Sequence, residues 1–425
     1  MTRSTSSILG RVMRRWLPAF AAPALIVAGF ATDAAAQKQL TVWHAYRGGE
    51  KAAFEKAVAA FNEANKAAGV SAKTLAVPYD AYADKISAAV PRGTGPDVFI
   101  FAQDRLGGWI EAGNIVEPVD FYIDDEVKGR FLPNMMDAVT YRGAAYGLPF
   151  NFKTIALIYN KKAVPTPPKT TKELVDWAKK NTDAGSGKYG LAYAYNDFYY
   201  HAAVMNAFGG GVFKMDNAQT LAAPTVNQAA NVKSVETVMK WFKDDKILPA
   251  EPSSALITSL FNEGKAQIVF SGPWFLGEVD KSIELGIANL PTVDEAGGQP
   301  MKPWMTVEGL YISSQSKNKD AAWELVKYLT TNDVAKVMAV EGRQQPTNKA
   351  VYSIPEVAND PIMTGFRKQA DQAVPMPNYA VMTLMWSPVT TAMNKIVKGA
   401  ATPQAAFDEA QQTLSTDIDA LRKSR

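Results

Sequence analysis

GPDVFIFAQDRLGGW, residues Gly95 to Trp109, decides how this chain is read. Gly95-Pro96 breaks whatever precedes it. Val98 to Phe101 is then an unbroken apolar run, too short for a helix, which is how a parallel strand buried on both faces reads. The run leads straight into Phe101, Asp104 and Arg105 at the mouth of a helix. Open parallel sheets gather ligands at the carboxyl ends of their strands, so these three residues form a candidate ligand site. A flat apolar ring beside a carboxylate and a guanidinium suits a sugar, whose C–H face stacks on aromatics while its hydroxyls bond to charged groups. The competing reading is a strand end carrying a solvated ion pair.

The first 36 residues read as an address. Arg3, Arg11, Arg14 and Arg15 precede an apolar run from Trp16 to Ala31, and Ala34-Ala35-Ala36 supplies a small-residue cleavage signal before Gln37. Pro18 and Pro23 interrupt the run, which is short for a membrane span. Cleavage near Ala36 and a free periplasmic protein are the expectation. The chain has no cysteine, so disulfides, thiolate metal sites and an N-terminal lipid anchor on sulfur are excluded.

Four arginines and one aspartate lie in this leader, so of 45 basic and 42 acidic residues the remainder carries 41 of each. A balanced chain has no basic stripe for nucleic acid. The remaining 389 residues exceed what one hydrophobic core usually serves, which predicts two domains.

Strands and amphipathic helices alternate from there. Leu40 to Trp43 predicts a strand; Glu50 to Ala68 predicts a helix with Phe54, Val58 and Phe61 on one face, stopped by Gly69. Val70 to Val77, a helix around Tyr82 and Ile86, and the Val98 strand complete a βαβαβ start. Ala156 to Tyr159, Gly190 to Tyr195 and Ala266 to Phe270 read as strands. Helices are predicted at Lys172 to Lys180, Val226 to Lys243, Ser253 to Glu263, Lys319 to Thr330 and Ala405 to Leu421. Val164 to Lys169 is a Pro-rich turn into a Thr170 or Thr171 helix cap.

In order along the chain, WHAYRGGE, GPDVFIFAQDRLGGW, AYGLPF with ALIYNK, PPKT, FGGGVFK, FNEGKAQIVFSGPW, NLP and MPNYAVMTLMW resemble the extracellular solute-binding proteins of sugar importers, the maltose-binding branch most of all. The resemblance implies an α/β, two-lobed periplasmic-binding-protein fold of class II type, with a cleft between lobes joined by hinge crossings. It implies a first lobe from residues 37–151 and 306–357 and a second from 152–305 and 358–425. It further implies a monomer that binds a di- or oligosaccharide without a cofactor and delivers it to an inner-membrane ABC permease. By position, Phe101 falls on a stacking tryptophan of that branch and Asp104 and Arg105 on its paired acid and base. Trp274 and Trp386 fall on two further stacking tryptophans, Tyr199 on a stacking tyrosine and Asp197 on a nearby glutamate. Trp274 has support of its own: Gly272-Pro273 ends the preceding strand abruptly, so the indole can project from its carboxyl edge.

Three positions depart from that branch. Lys153 stands where it has a glutamate, Arg47 where it has an aspartate, and Phe101 replaces an indole. Cationic donors in place of acceptors suit a ligand with more acceptors, another sugar, a polyol or a sugar phosphate, unless both side chains lie along the rim. Lys153→Glu is therefore expected to shift ligand preference toward maltooligosaccharides.

Catalytic motifs are mostly missing. His44 and His201 are the only histidines, too few for a His-rich metal site, and read as polar neighbours of the cleft. Gly209 to Gly211 reads as a helix stop, and Asp124-Asp125-Glu126 as a solvated run without the spacing of a calcium loop. The rival to a binding protein is a secreted glycoside hydrolase with Asp104 and Asp197 as its acid pair. The expectation against it is that Arg105 and similar neighbours keep both carboxylates ionised, whereas a general acid needs a raised pKa.

Overall fold

The computed structural model describes residues 38–113, 115–217 and 220–423, without the side chains of 215–222. The leader and its cleavage position lie outside the described residues. From Lys38 the chain builds two α/β lobes around separate cores.

The first lobe holds the βαβαβ start. Strand Lys38–His44 pairs in parallel with Val70–Ala76 on one side and Val98–Ala102 on the other. All five residues of Val98–Ala102 are buried, as the unbroken apolar run requires. The helix Gly48–Ala64 turns Phe54, Ala57, Val58 and Phe61 onto the sheet. At about 1.5–3 kcal/mol for each large apolar side chain buried, that stripe outweighs the weak intrinsic preference of a single helix. A short 3-10 turn, Lys66–Ala68, follows, and Gly69 at φ +67° ends it.

Two long strands carry the chain between cores. Gly147–Lys153 has Phe152 in the first core, while Ile155 already belongs to the second. Trp304–Ile312 returns the other way: Trp304 packs in the second core and Val307, Leu310 and Ile312 in the first. It runs antiparallel to both Gly147–Lys153 and Val98–Ala102. The sequence reading missed this strand, because Glu308-Gly309 interrupts the apolar pattern that marks buried strands.

In the second lobe, Ala156–Asn160 lies antiparallel to Ala266–Ser271 and Leu285–Ala288, and Tyr189–Ala192 lies parallel to Ala266–Ser271. The Thr170 hydroxyl accepts the Glu173 N–H at 3.1 Å and the Ser253 hydroxyl the Leu256 N–H at 3.2 Å, fixing two helix starts. Helices Met382–Val397 and Pro403–Lys423 close this core with Met385, Val389, Phe407 and Leu414. The strand expected to reach Tyr195 stops at Ala192, and the helix expected from Val226 begins at Ala229 and finishes in a π turn, Lys240–Asp244. Gly209 adopts φ +72° just past the helix Phe198–Ala207, the stop expected there. Asp124 caps a surface turn by accepting the Val127 N–H at 2.8 Å. Among the described residues, no helix is long and apolar enough to cross a membrane.

Candidate functional site

Strands Lys38–His44, Val70–Ala76 and Val98–Ala102 are parallel, so their carboxyl ends share one edge. Arg47, Tyr79 and Asp104 follow those ends. From the second lobe, Ala266–Ser271 ends in Gly272-Pro273, and Trp274 sits on the one-turn helix Pro273–Leu276. The indole folds back over Gly272, where an added Cβ would come within 2.2 Å of it; glycine there is a condition of the ring's placement. Asp197 caps the helix Phe198–Ala207, accepting the Tyr199 N–H at 2.9 Å.

Rings from the second core make a connected surface. Tyr199 lies 6.2 Å from Trp274 and 6.4 Å from Trp304, and Trp304 meets Trp386 edge to face at 6.0 Å. Trp274, Tyr199 and Trp386 are partly exposed, whereas Trp304 is buried behind them. The structure thus brings three of the expected rings together, backed by a fourth that sequence reasoning did not single out.

Asp104 is 2 % exposed. It accepts the Trp386 indole N–H at 2.9 Å and stands 3.2 Å from the Arg105 Nε, while the Arg105 guanidinium lies over the Trp386 ring at 5.8 Å. The pair therefore joins the first lobe to an aromatic of the second, and is not the solvated surface ion pair of the competing reading. Burial pushes the Asp104 carboxyl above its ordinary value, with Arg105 and the Trp386 bond pulling the other way. Enclosure likewise pushes Asp197 up to about 6, against the bond from the Tyr199 N–H. The expectation that neighbours hold both carboxylates low is corrected: at Asp104 burial outweighs Arg105, and Asp197 is raised as well although its side chain reaches the surface.

Phe101 is a core ring, 4 % exposed, packed on Tyr82 and Trp109. Tyr79 covers its remaining face in a parallel stack. The stacking face expected at Phe101 is therefore closed by its neighbour.

Lys153 is no free cation. Its Nζ stands 2.9 Å from Glu308 Oε1 and 3.2 Å from Glu50 Oε2, and over the Tyr46 ring at 5.0 Å. The Tyr46 hydroxyl donates to Glu308 at 2.7 Å. Burial alone would depress the Lys153 ammonium, but the two glutamates together raise it. Lys153 brings a donor exchange with acids that come from 103 and 155 residues away, so the altered hydroxyl code inferred from this position is compensated locally. Arg47 is engaged too: its Nε meets Glu278 of the second lobe at 2.9 Å. Beside that pair, backbone meets backbone, since a Cβ on Gly48 would lie 3.1 Å from the Gly277 carbonyl oxygen and one on Gly277 2.9 Å from the Gly49 nitrogen.

The histidines belong to the cores and not to the cleft. His44 and His201 are fully buried. His44 Nδ1 accepts the Tyr46 N–H at 3.1 Å, and His201 Nε2 bonds the Ser234 hydroxyl at 2.9 Å. Burial lowers them to about 4 and about 3, helped at His44 by the Lys51 charge. Among the described residues, no group of three His, Cys, Asp or Glu side chains is placed to hold a metal ion.

Two lobes, two crossing strands and an aromatic surface facing a charged one define a cleft-type receptor. Residues 47–336 match the family described as bacterial extracellular solute-binding protein, and this chain belongs to it, a family of binding proteins rather than enzymes. It is 36 % identical over 318 residues to a maltotriose-binding protein of Pyrococcus abyssi, covering 74 % of this chain and 68 % of that one. A galactooligosaccharide-binding protein of Bacillus subtilis is 28 % identical over 378 residues, 87 % of each chain. Among solved structures, a maltose/maltodextrin-binding domain of Bdellovibrio bacteriovorus bound to maltotriose superposes with a TM-score of 0.82 at 25 % identity, over 90 % of this chain and all of the other. A cyclo/maltodextrin-binding protein complexed with maltotetraose gives 0.73 at 31 % identity, over 89 % and 97 %. The fold is thus the α/β, two-lobed periplasmic-binding type.

Proposed function

We propose that this protein is the exported, monomeric receptor of an ABC sugar importer, taking a maltodextrin-type oligosaccharide between its lobes and presenting it to the inner-membrane permease. The observation that carries the reading is the run of partly exposed rings, Trp274, Tyr199 and Trp386, set opposite Asp104 and Arg105. Rings take the C–H faces of pyranoses, and charged groups at the edge take the hydroxyls. The named relatives and the bound sugars of the similar structures support the same ligand class. With Lys153 neutralised by two glutamates, a sugar phosphate is the weaker reading. The lobes comprise residues 37–151 with 306–357 and 152–305 with 358–425, Phe152 at the crossing still packing in the first core, and ligand bridging both favours the closed arrangement. Arg47 and Lys153 act as closure and positioning groups, while Asp197 accepts a ligand hydroxyl.

The test is a thermal-unfolding screen over maltodextrins, galactooligosaccharides and sugar phosphates. A ligand at 100 times its Kd adds about 2.7 kcal/mol. Stabilisation by maltotriose and recovery of the sugar intact support the reading; a response to sugar phosphates alone overturns it.

A further inference from the structure

Phe101 is covered because Tyr79 lies flat upon it. The ring centroids are 5.6 Å apart and the planes differ by 8°. Tyr82 and Trp109 grip Phe101 from beneath at 5.3 and 5.4 Å, so the lower ring cannot turn. Tyr79 itself is 63 % exposed. One face is spent on Phe101 and the other is open.

The placement of that open face follows from the chain. Tyr79 begins the helix Tyr79–Ala89 immediately after the carboxyl end of Val70–Ala76, with Pro78 at φ −54° fixing the entry. This is the same sheet edge that presents Arg47 and Asp104. Asp104 and Arg105 of its own lobe and Asp197 and Tyr199 of the other all act electrostatically on the Tyr79 hydroxyl, and Asp80 beside it acts on Asp197. Groups from both lobes therefore converge on one ring. Around the Asp104–Arg105 pair, Trp386 is joined by a direct hydrogen bond and Tyr79 through Phe101, whose own chain position is three residues upstream.

We infer that Tyr79 forms a stacking subsite of its own on the first lobe, and that it selects oligosaccharides long enough to place one pyranose on Tyr79 while other units lie on Trp274, Tyr199 and Trp386. The inference rests on the oligosaccharide reading above. A flat ring with one face held rigid loses little freedom on binding, which is why such rings serve as anchors. The hydroxyl gives the platform one donor that Phe101 lacks. The second ring is parallel to Phe101 but offset from it, with 5.6 Å between centroids, so the stacking face is offered at a different place from the one the buried ring would give.

The experiment is calorimetry with maltose, maltotriose and maltotetraose on the wild type, Tyr79→Ala and Tyr79→Phe, with unfolding midpoints as a control on folding. Tyr79→Ala is expected to weaken the longest sugar by about tenfold or more and maltose by less than about twofold, and Tyr79→Phe to retain most of the affinity. Equal losses for all three lengths, or no loss for any, overturn the subsite even where the wild type binds them all. If the wild type binds none of the three, the oligosaccharide reading itself has failed, and the subsite with it.

Discussion

The two faces of the cleft are built from different chemistry. The first lobe and the crossing strand that ends at Lys153 contribute mainly ions, Asp104 with Arg105 and Glu50 with Lys153 and Glu308, beside the single exposed ring of Tyr79. The second contributes rings, Tyr199, Trp274, Trp304 and Trp386. A sugar has both kinds of surface, edge hydroxyls and a C–H face, so neither lobe satisfies it alone. On the proposed reading, that division of labour makes closure a requirement of full recognition. The first lobe's ions are nevertheless largely committed to one another, so the proposed reading leaves most of the contact energy to the rings.

The sharpest way to break this comparison is Lys153→Glu, which places a third carboxylate against Glu50 and Glu308. Removing the partner of a buried charge costs about 3–5 kcal/mol, so urea unfolding should show a loss near that size, in place of the simple change of ligand preference expected from the sequence. An unchanged midpoint means that the ammonium is not held by the two glutamates.

The lobes are alike in one respect, each hiding a single neutral histidine, and this predicts how both fail in acid. The folded-state values of about 4 for His44 and about 3 for His201 lie below the ordinary 6.5. Their contribution is therefore complete above pH 6.5 and lost as pH falls toward those values. By pH 5 each should cost about 2 kcal/mol. His201→Gln keeps a bonding partner for Ser234 and removes the titration, so its stability should fall less steeply between pH 6.5 and 5; an identical slope refutes the assignment.

Trp274→Ala tests the ring side of the comparison. It should weaken oligosaccharide binding by about 1–3 kcal/mol while the unliganded protein unfolds at its usual midpoint. A collapse of the fold would instead make the indole a core residue.

The smallest effect belongs to Asp197, the carboxylate among the rings. Its value near 6 is raised, so the ionised form, the stronger acceptor, takes over as pH rises through 6. Affinity for a neutral sugar should increase by about three- to fourfold from pH 5 to 7, from one hydrogen bond of about 1 kcal/mol. Asp197→Asn should remove the part of that dependence centred near pH 6, to which the histidines, already neutral across the interval, do not contribute.

Most of the fold was legible because its strands are unbroken apolar runs and its helices carry stripes and caps that need only local residues. Trp304–Ile312 was lost where Glu308 breaks the run, and the reason for that glutamate, Lys153, is 155 positions away. Tyr79 shows the same limit and also a missed signal. Its partner Phe101 is invisible locally, yet Pro78-Tyr79 follows a strand that was read as ending at Val77, and the rule that selected Asp104 selects Tyr79 equally. Arg47 and Lys153 were read as free donors because nothing in their neighbourhood reveals Glu278 or Glu308.

The contact between Gly48, Gly49 and Gly277 gives the two lobes a seam with no clearance. Side-chain contacts can yield by changing rotamer, whereas backbone against backbone has little room to give. A single methyl group is then a shim. Gly277→Ala is expected to wedge the jaws ajar at one place, because its Cβ would press on the Gly49 nitrogen at 2.9 Å. Such a variant would uncouple grasp from recognition, and so turn the receptor into a gauge of how much of its affinity comes from shutting.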